Sequence, residues 1–145
     1  MTRLLRITTL EDAFALLNEL RGLPDIPVSA ARRQRLIRSS IILGWVAVEE
    51  ALDYFIDSYS LGTRADFPTG SKLLQRLEFV AKVNRRSVSI TELEAARRLR
   101  NDVTHARDAT ALTLALTEQN CEFVFGTCLA TVQAMCRDKI VCSVP

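Results

Sequence analysis

Arg100, Asn101 and His105 stand close together late in the chain, within the stretch A-A-R-R-L-R-N-D-V-T-H-A-R from Ala95 to Arg107. His105 is the only histidine among the 145 residues. An imidazole titrates near neutrality and can accept or deliver a proton. A guanidinium can hold a phosphate and stabilise charge as it builds in a transition state. A carboxamide can orient the imidazole or bind a phosphate oxygen. Together these capacities suit RNA cleavage, where one group takes the 2′-hydroxyl proton and another protonates the leaving oxygen. Such chemistry needs no metal and no cofactor. One histidine per chain supplies one of the two groups, so a homodimer with a composite cleft on its two-fold axis would supply both.

The spacing sets a geometric condition. In a regular helix Asn101 and His105, four apart, share a face. Arg100 lies about 140° around from His105. The two converge on one small ligand only through the length of the arginine, fraying at the helix end, or a second copy of the site. A plainer role is open to the same residues: a histidine in a last turn can cap the helix carbonyls.

The elements that position this stretch read as helices throughout. Leu, Ala, Val, Arg and Glu dominate, and five glycines and four prolines interrupt the chain, a composition that favours helix over strand. A first helix over 8–22 opens with Thr8 and Glu11 as a capping box and ends at Gly22 and Pro24. Pro24 to Pro27 is a stiff connector. Ser29 or a neighbour caps a long second helix to about Tyr59, with Gly44 at its centre and a close helix crossing expected there. Leu61 to Gly70 reads as a loop. A third helix runs from Ser71 to about Asn84. Ser89 and Glu92 form a second capping box and open a fourth, which carries the Arg100–His105 stretch to its end. Asp108 caps a fifth that continues to about Lys139, with Gly126 placed to bend it or admit a close neighbour. The expected architecture is a single all-α domain over residues 1–145, a compact bundle of about five helices, with the 8–22 helix packed on a 29–139 core.

The charges on the second helix run against its dipole. Arg32, Arg33, Arg35 and Arg38 crowd its positive end, and Glu49, Glu50, Asp53 and Asp57 occupy its second half. Partners elsewhere in the fold are expected. Arginines of the Ala95–Arg107 stretch are candidates to face Glu49, Glu50 or Asp53, and a solvated acidic face is the equal alternative.

The net charge of +2 is too small to imply nucleic-acid binding by itself. Sixteen of the 19 cations are arginine, the residue that pairs bidentately with carboxylate or phosphate; a GC-rich genome would give the same bias. Cys121, Cys128, Cys136 and Cys142 lack C-x-x-C spacing, and one histidine completes no zinc set. Reduced, structural thiols and a cytoplasmic location are expected, with Cys142 exposed. No apolar run reaches signal-peptide or membrane-span length.

The stretch R-N-D-V-T-H resembles the R-N-x3-H form of the R-x4-6-H motif of HEPN domains. The likeness extends to architecture, from the long helix carrying W-V-A-V-E-E-A-L-D-Y-F-I through the linker to the motif helix and a long final helix, over Arg32 to Lys139. HEPN domains are small all-α bundles, and in their ribonucleases the motif residues of two subunits line a cleft where RNA is cut without metal. The resemblance implies that Arg100 binds the scissile phosphate, His105 transfers the proton and Asn101 orients or assists. It also implies the toxin of a toxin–antitoxin or phage-defence system, with a separate antitoxin protein, often a nucleotidyltransferase, as partner. The glycine usual after the HEPN histidine is replaced by Ala106. The chain is also similar to the mannitol operon repressor family, which implies instead a non-catalytic regulatory or interaction module.

Overall fold

In the computed structural model, residues 4–59, 72–105, 108–136 and 139–140 are described. The loop expected over Leu61–Gly70 and the exposure expected for Cys142 lie outside these residues. Among the described residues the regular structure is helical apart from one two-residue pairing. Its elements are β1 (Leu4–Leu5), α1 (Thr8–Arg21), a 3₁₀ turn (Pro27–Ser29), α2 (Ala30–Ser58), α3 (Lys72–Val83), α4 (Ile90–His105), α5 (Ala109–Ala115), α6 (Glu118–Met135) and β2 (Lys139–Ile140). β1 and β2 pair in parallel, Leu4 opposite Lys139 and Leu5 opposite Ile140.

Helix α2 is the central strut. Ile37, Ile41, Trp45, Val48, Leu52, Phe55 and Ile56 are all at most 2% exposed, recurring at the three- and four-residue intervals of an amphipathic helix. Helix α1 folds back on α2 as an antiparallel hairpin: Thr9 Oγ1 donates to Glu50 Oε2 at 3.0 Å, Ser40 Oγ donates to the Ala13 carbonyl at 2.9 Å, and Arg32 pairs with Glu19. Helix α6 runs parallel to α2. Arg33 Nη1 meets Glu118 Oε2 at 3.3 Å near both N-terminal ends. About three turns further along each helix, Gly44 faces Cys128. Helix α1 packs into one groove of this pair and α4 into the other.

Of the four expected caps, those of Ser89 and Asp108 form; Ser29 stands at the N-cap of α2 but its side chain makes no capping hydrogen bond, and Thr8 does not cap α1. Asp108 accepts the Ala111 amide at 2.7 Å, and Ser89 Oγ accepts the Glu92 amide at 3.2 Å. At α1, however, the helix begins with Thr8 itself, the N-cap position falls on Ile7, and no side chain caps it. Glu11 is held instead by Arg6 through two hydrogen bonds of 2.8 Å. The Arg6 fork engages both carboxylate oxygens, a bidentate pairing among the stronger hydrogen-bonded arrangements.

The single fifth helix expected from Asp108 to about Lys139 is two helices. Leu116 and Thr117 leave the helical conformation, and Thr117 Oγ1 caps α6 by accepting the Asn120 amide at 3.1 Å. The Asn120 side chain reaches back to the carbonyls of Leu114 and Ala115 at 3.1 and 3.0 Å. One residue thus closes α5 while its own amide is capped for α6. Gly126 meets nothing within 4 Å, so it admits no close neighbour. β2 follows α6 in the chain.

The turn between α3 and α4 closes the far end of the bundle. Arg85 has φ 58°, a left-handed conformation that costs a non-glycine residue about 1–2 kcal/mol. It aims Asn84 and Arg86 at the C-terminus of α6, where they donate to the carbonyls of Met135 and Gln133. Met135 is the last residue of α6, and among the described residues the Gln133 carbonyl otherwise accepts only the Cys136 amide, at 3.3 Å. Since α4 starts there, it runs antiparallel to α6 and ends beside the N-terminal ends of α2 and α6.

Candidate functional site

Helix α4 is anchored by Leu93 and Ala96, both fully buried, and Val103, 4% exposed. Arg100 lies about 40° from Ala96 and about 60° from Val103 around the axis, so it falls on the inward-leaning side and is half-buried. Its Nη1 donates to Asn101 Oδ1 at 3.1 Å. Its Nε is buried with no hydrogen-bond partner. Among the described residues no carboxylate meets this guanidinium, whereas neighbouring Arg97 and Arg98 both approach Glu94, at 3.4 and 3.7 Å.

His105 is the last residue of α4 and is exposed. The helix stays regular through it, so fraying does not bring it toward Arg100. Within one chain the two point about 140° apart, and Asn101, half-buried, shares the outer face with His105. Among the described residues no hydrogen bond reaches the imidazole. The carbonyl-capping role open to it from the sequence is not what it does here. Thr104 Oγ1 takes the Arg100 carbonyl instead, at 2.8 Å.

Glu50 does not face α4. It accepts from Thr9 and lines a surface pocket of about 190 Å³ with Arg6, Ile7, Thr8, Ala51 and Tyr54. The arginines of α2 are answered in part from other helices, Arg32 by Glu19 and Arg33 by Glu118 and the carbonyls of Leu23 and Pro24. A second concavity, of about 300 Å³, is lined by Val83, Asn84, Arg85, Arg86 and Cys136. Neither includes Arg100, Asn101 or His105. Sequence reading passed over the role of Asn84 and Arg86 at the end of α6; the signal available was a polar turn rich in donors between two helices.

The described cysteines, Cys121, Cys128 and Cys136, are buried. Burial pushes the Cys128 thiol up to about 12, and burial also raises Cys121. Among the described residues no three His, Cys, Asp or Glu side chains are grouped to hold a metal ion, and no helix is long and apolar enough to cross a membrane.

Compared with protein-family models, with curated proteins and with solved structures, the chain matches none.

Proposed function

We propose that the protein is a HEPN-like, metal-independent endoribonuclease whose active site is completed between two copies of the chain. The observation that carries this reading is Arg100. A half-buried cation is ordinarily met by a carboxylate, because an unanswered charge out of water is costly. Arg100 has only a neutral amide and keeps an unpartnered Nε. That leaves it free for an anion, and a phosphodiester fits its planar fork.

In the proposed reaction Arg100 holds the scissile phosphate while His105 accepts the proton of the adjacent 2′-hydroxyl. The 2′-oxygen attacks phosphorus, and the bond to the 5′-oxygen breaks. That oxygen takes a proton from the imidazolium of the second copy, leaving a 2′,3′-cyclic phosphate and a 5′-hydroxyl. The divergence of Arg100 and His105 within one chain supports a composite site, since a second copy can bring its imidazole to the first copy's guanidinium. By the same resemblance, the protein would act as a toxin restrained by a separate antitoxin.

A second reading has an observation of its own. Nothing orients His105, as no described side chain bonds its ring, and catalytic imidazoles are ordinarily held by a second group. This favours a non-catalytic regulatory module, of the kind implied by the likeness to the mannitol operon repressor family.

One experiment separates them. Wild type, His105→Ala and Arg100→Ala are sized in solution and incubated with RNA in EDTA. The enzyme reading expects a dimer that cuts RNA, and dimeric, folded variants with cleavage reduced at least about 100-fold, the usual contribution of a general base. A monomeric wild type, or cleavage equal in all three proteins, would overturn it in favour of the regulatory module.

A further inference from the structure

The exposed arginines of α2 have a use that the fold itself does not supply. Residues 30–43 carry four arginines and no acid, at the helix end where the dipole already disfavours cations. Arg32 and Arg33 are answered by Glu19 and Glu118. Arg35 and Arg38 are exposed, and among the described residues neither has an ion pair or hydrogen bond. They stand three apart, about 60° around the axis, close enough to repel. Two like charges set together, against the dipole and without an acid, stabilise nothing in the folded chain.

Their direction is fixed by the neighbours of α2. Arg32 and Glu50 mark the edge that meets α1. Arg35 is turned about 60° and Arg38 about 120° away from that edge, and α4 packs on α2 and α6 away from α1. Along the axis, Arg35 and Arg38 sit just beyond Arg33, whose contact with Glu118 marks the N-terminal ends of α2 and α6. Helix α4, running the other way, brings His105 to that same end. Packed helices are about 8–10 Å apart, a gap that a few nucleotides of extended strand can cross.

We infer that Arg35 and Arg38 form a phosphate-backbone track on α2 that holds single-stranded RNA beside the end of α4. The inference rests on the ribonuclease reading for its ligand and adds residues outside the Arg100–His105 motif. Two guanidiniums one helical turn apart can grip successive phosphates without reading a base, so the track sets affinity and path and leaves sequence preference to other contacts.

The test uses the full chain carrying His105→Ala, so that the RNA stays intact, and a fluorescein-labelled mixed-sequence oligoribonucleotide followed by anisotropy over a range of salt. Each phosphate contact on a single strand contributes about 0.7 to the slope of log affinity against log salt. Adding Arg35→Gln and Arg38→Gln together is expected to lower that slope by about 1.4 and weaken binding tenfold or more at low salt. Arg97→Gln with Arg98→Gln, arginines already held by Glu94, serves as the control and is expected to change the slope less. Unchanged slope and affinity in the Arg35/Arg38 variant would overturn the track, as would absence of RNA binding at every salt. Loss of binding to polyglutamate with RNA binding intact would reassign the pair to an acidic protein and also overturn it. The underlying reading fails separately: wild type that binds the oligoribonucleotide with the full slope yet leaves it uncut removes the nuclease and keeps the track.

Discussion

At the scale of single residues, the difference between Arg100 and Cys128 is one of access. Both lean inward, but Arg100 keeps part of its surface open and has a neutral neighbour, whereas Cys128 is sealed between α2 and α6. Burial holds the Cys128 thiol near 12, far above the pH at which thiolates form in solution. Iodoacetamide at about pH 8 is therefore expected to leave Cys128 unlabelled in the native protein and to label it once urea is added; labelling of the native fold would show that the α2–α6 seam opens. Arg100, Asn101 and His105 could be named as candidates from the sequence because a lone histidine has few rivals. Their arrangement was legible only as a condition, since the direction of Arg100 depends on which side of α4 the core takes. The empty Nε could not be read from spacing at all.

At the scale of elements, helix existence followed from periodicity, and the errors fell at ends and joints. The capping box at Thr8 was lost to Arg6, a partner five residues before Glu11 that a fixed motif does not consider. The break at Leu116–Thr117 was hidden because Leu112, Leu116 and Phe123 keep a helical spacing through it. Its trace was Thr117 with Asn120, an N-cap spacing buried in an otherwise helical run. Thr117→Ala is expected to lower stability by about 1 kcal/mol, measured by urea unfolding. Gly126→Ala should raise it by about 1 kcal/mol, because no neighbour lies within 4 Å of the added methyl. At Gly44 the methyl would meet Cys128 Sγ at 3.6 Å, an ordinary contact, so Gly44→Ala is also expected to stabilise. The glycine expected to mark a tight crossing leaves room for one more carbon. A lowered urea midpoint for either alanine variant would show that α2 or α6 is bent in a way these distances do not record.

At the scale of the whole molecule, cross-links between sequence-distant helices hold the bundle's end together. Arg21 binds Glu122 in a fork of 2.7 and 2.6 Å, tying α1 to α6. The hydrogen bonds from Arg21 hold the Glu122 carboxyl below its ordinary value. A lowered folded-state pKa contributes stability that is complete above the unfolded value, about 4.3, and is lost as pH falls through the folded one. Both side chains are roughly two-fifths exposed, so the contribution is at most about 1 kcal/mol. Glu122→Gln should lower the melting temperature slightly at neutral pH and flatten its fall below about pH 4; an equal deficit at every pH would mean the carboxylate's charge is not what matters. The parallel seating of α6 against α2 has a consequence for how the chain is made. A ribosome delivers α2 long before α6, yet Val124, Cys128, Val132 and Met135 of α6, none measurably exposed, belong to the same core as Ile41, Val48 and Phe55 of α2. During synthesis that apolar flank of α2 waits uncovered, with only the α1 hairpin to shield its other side, and stays open to association until α6 arrives.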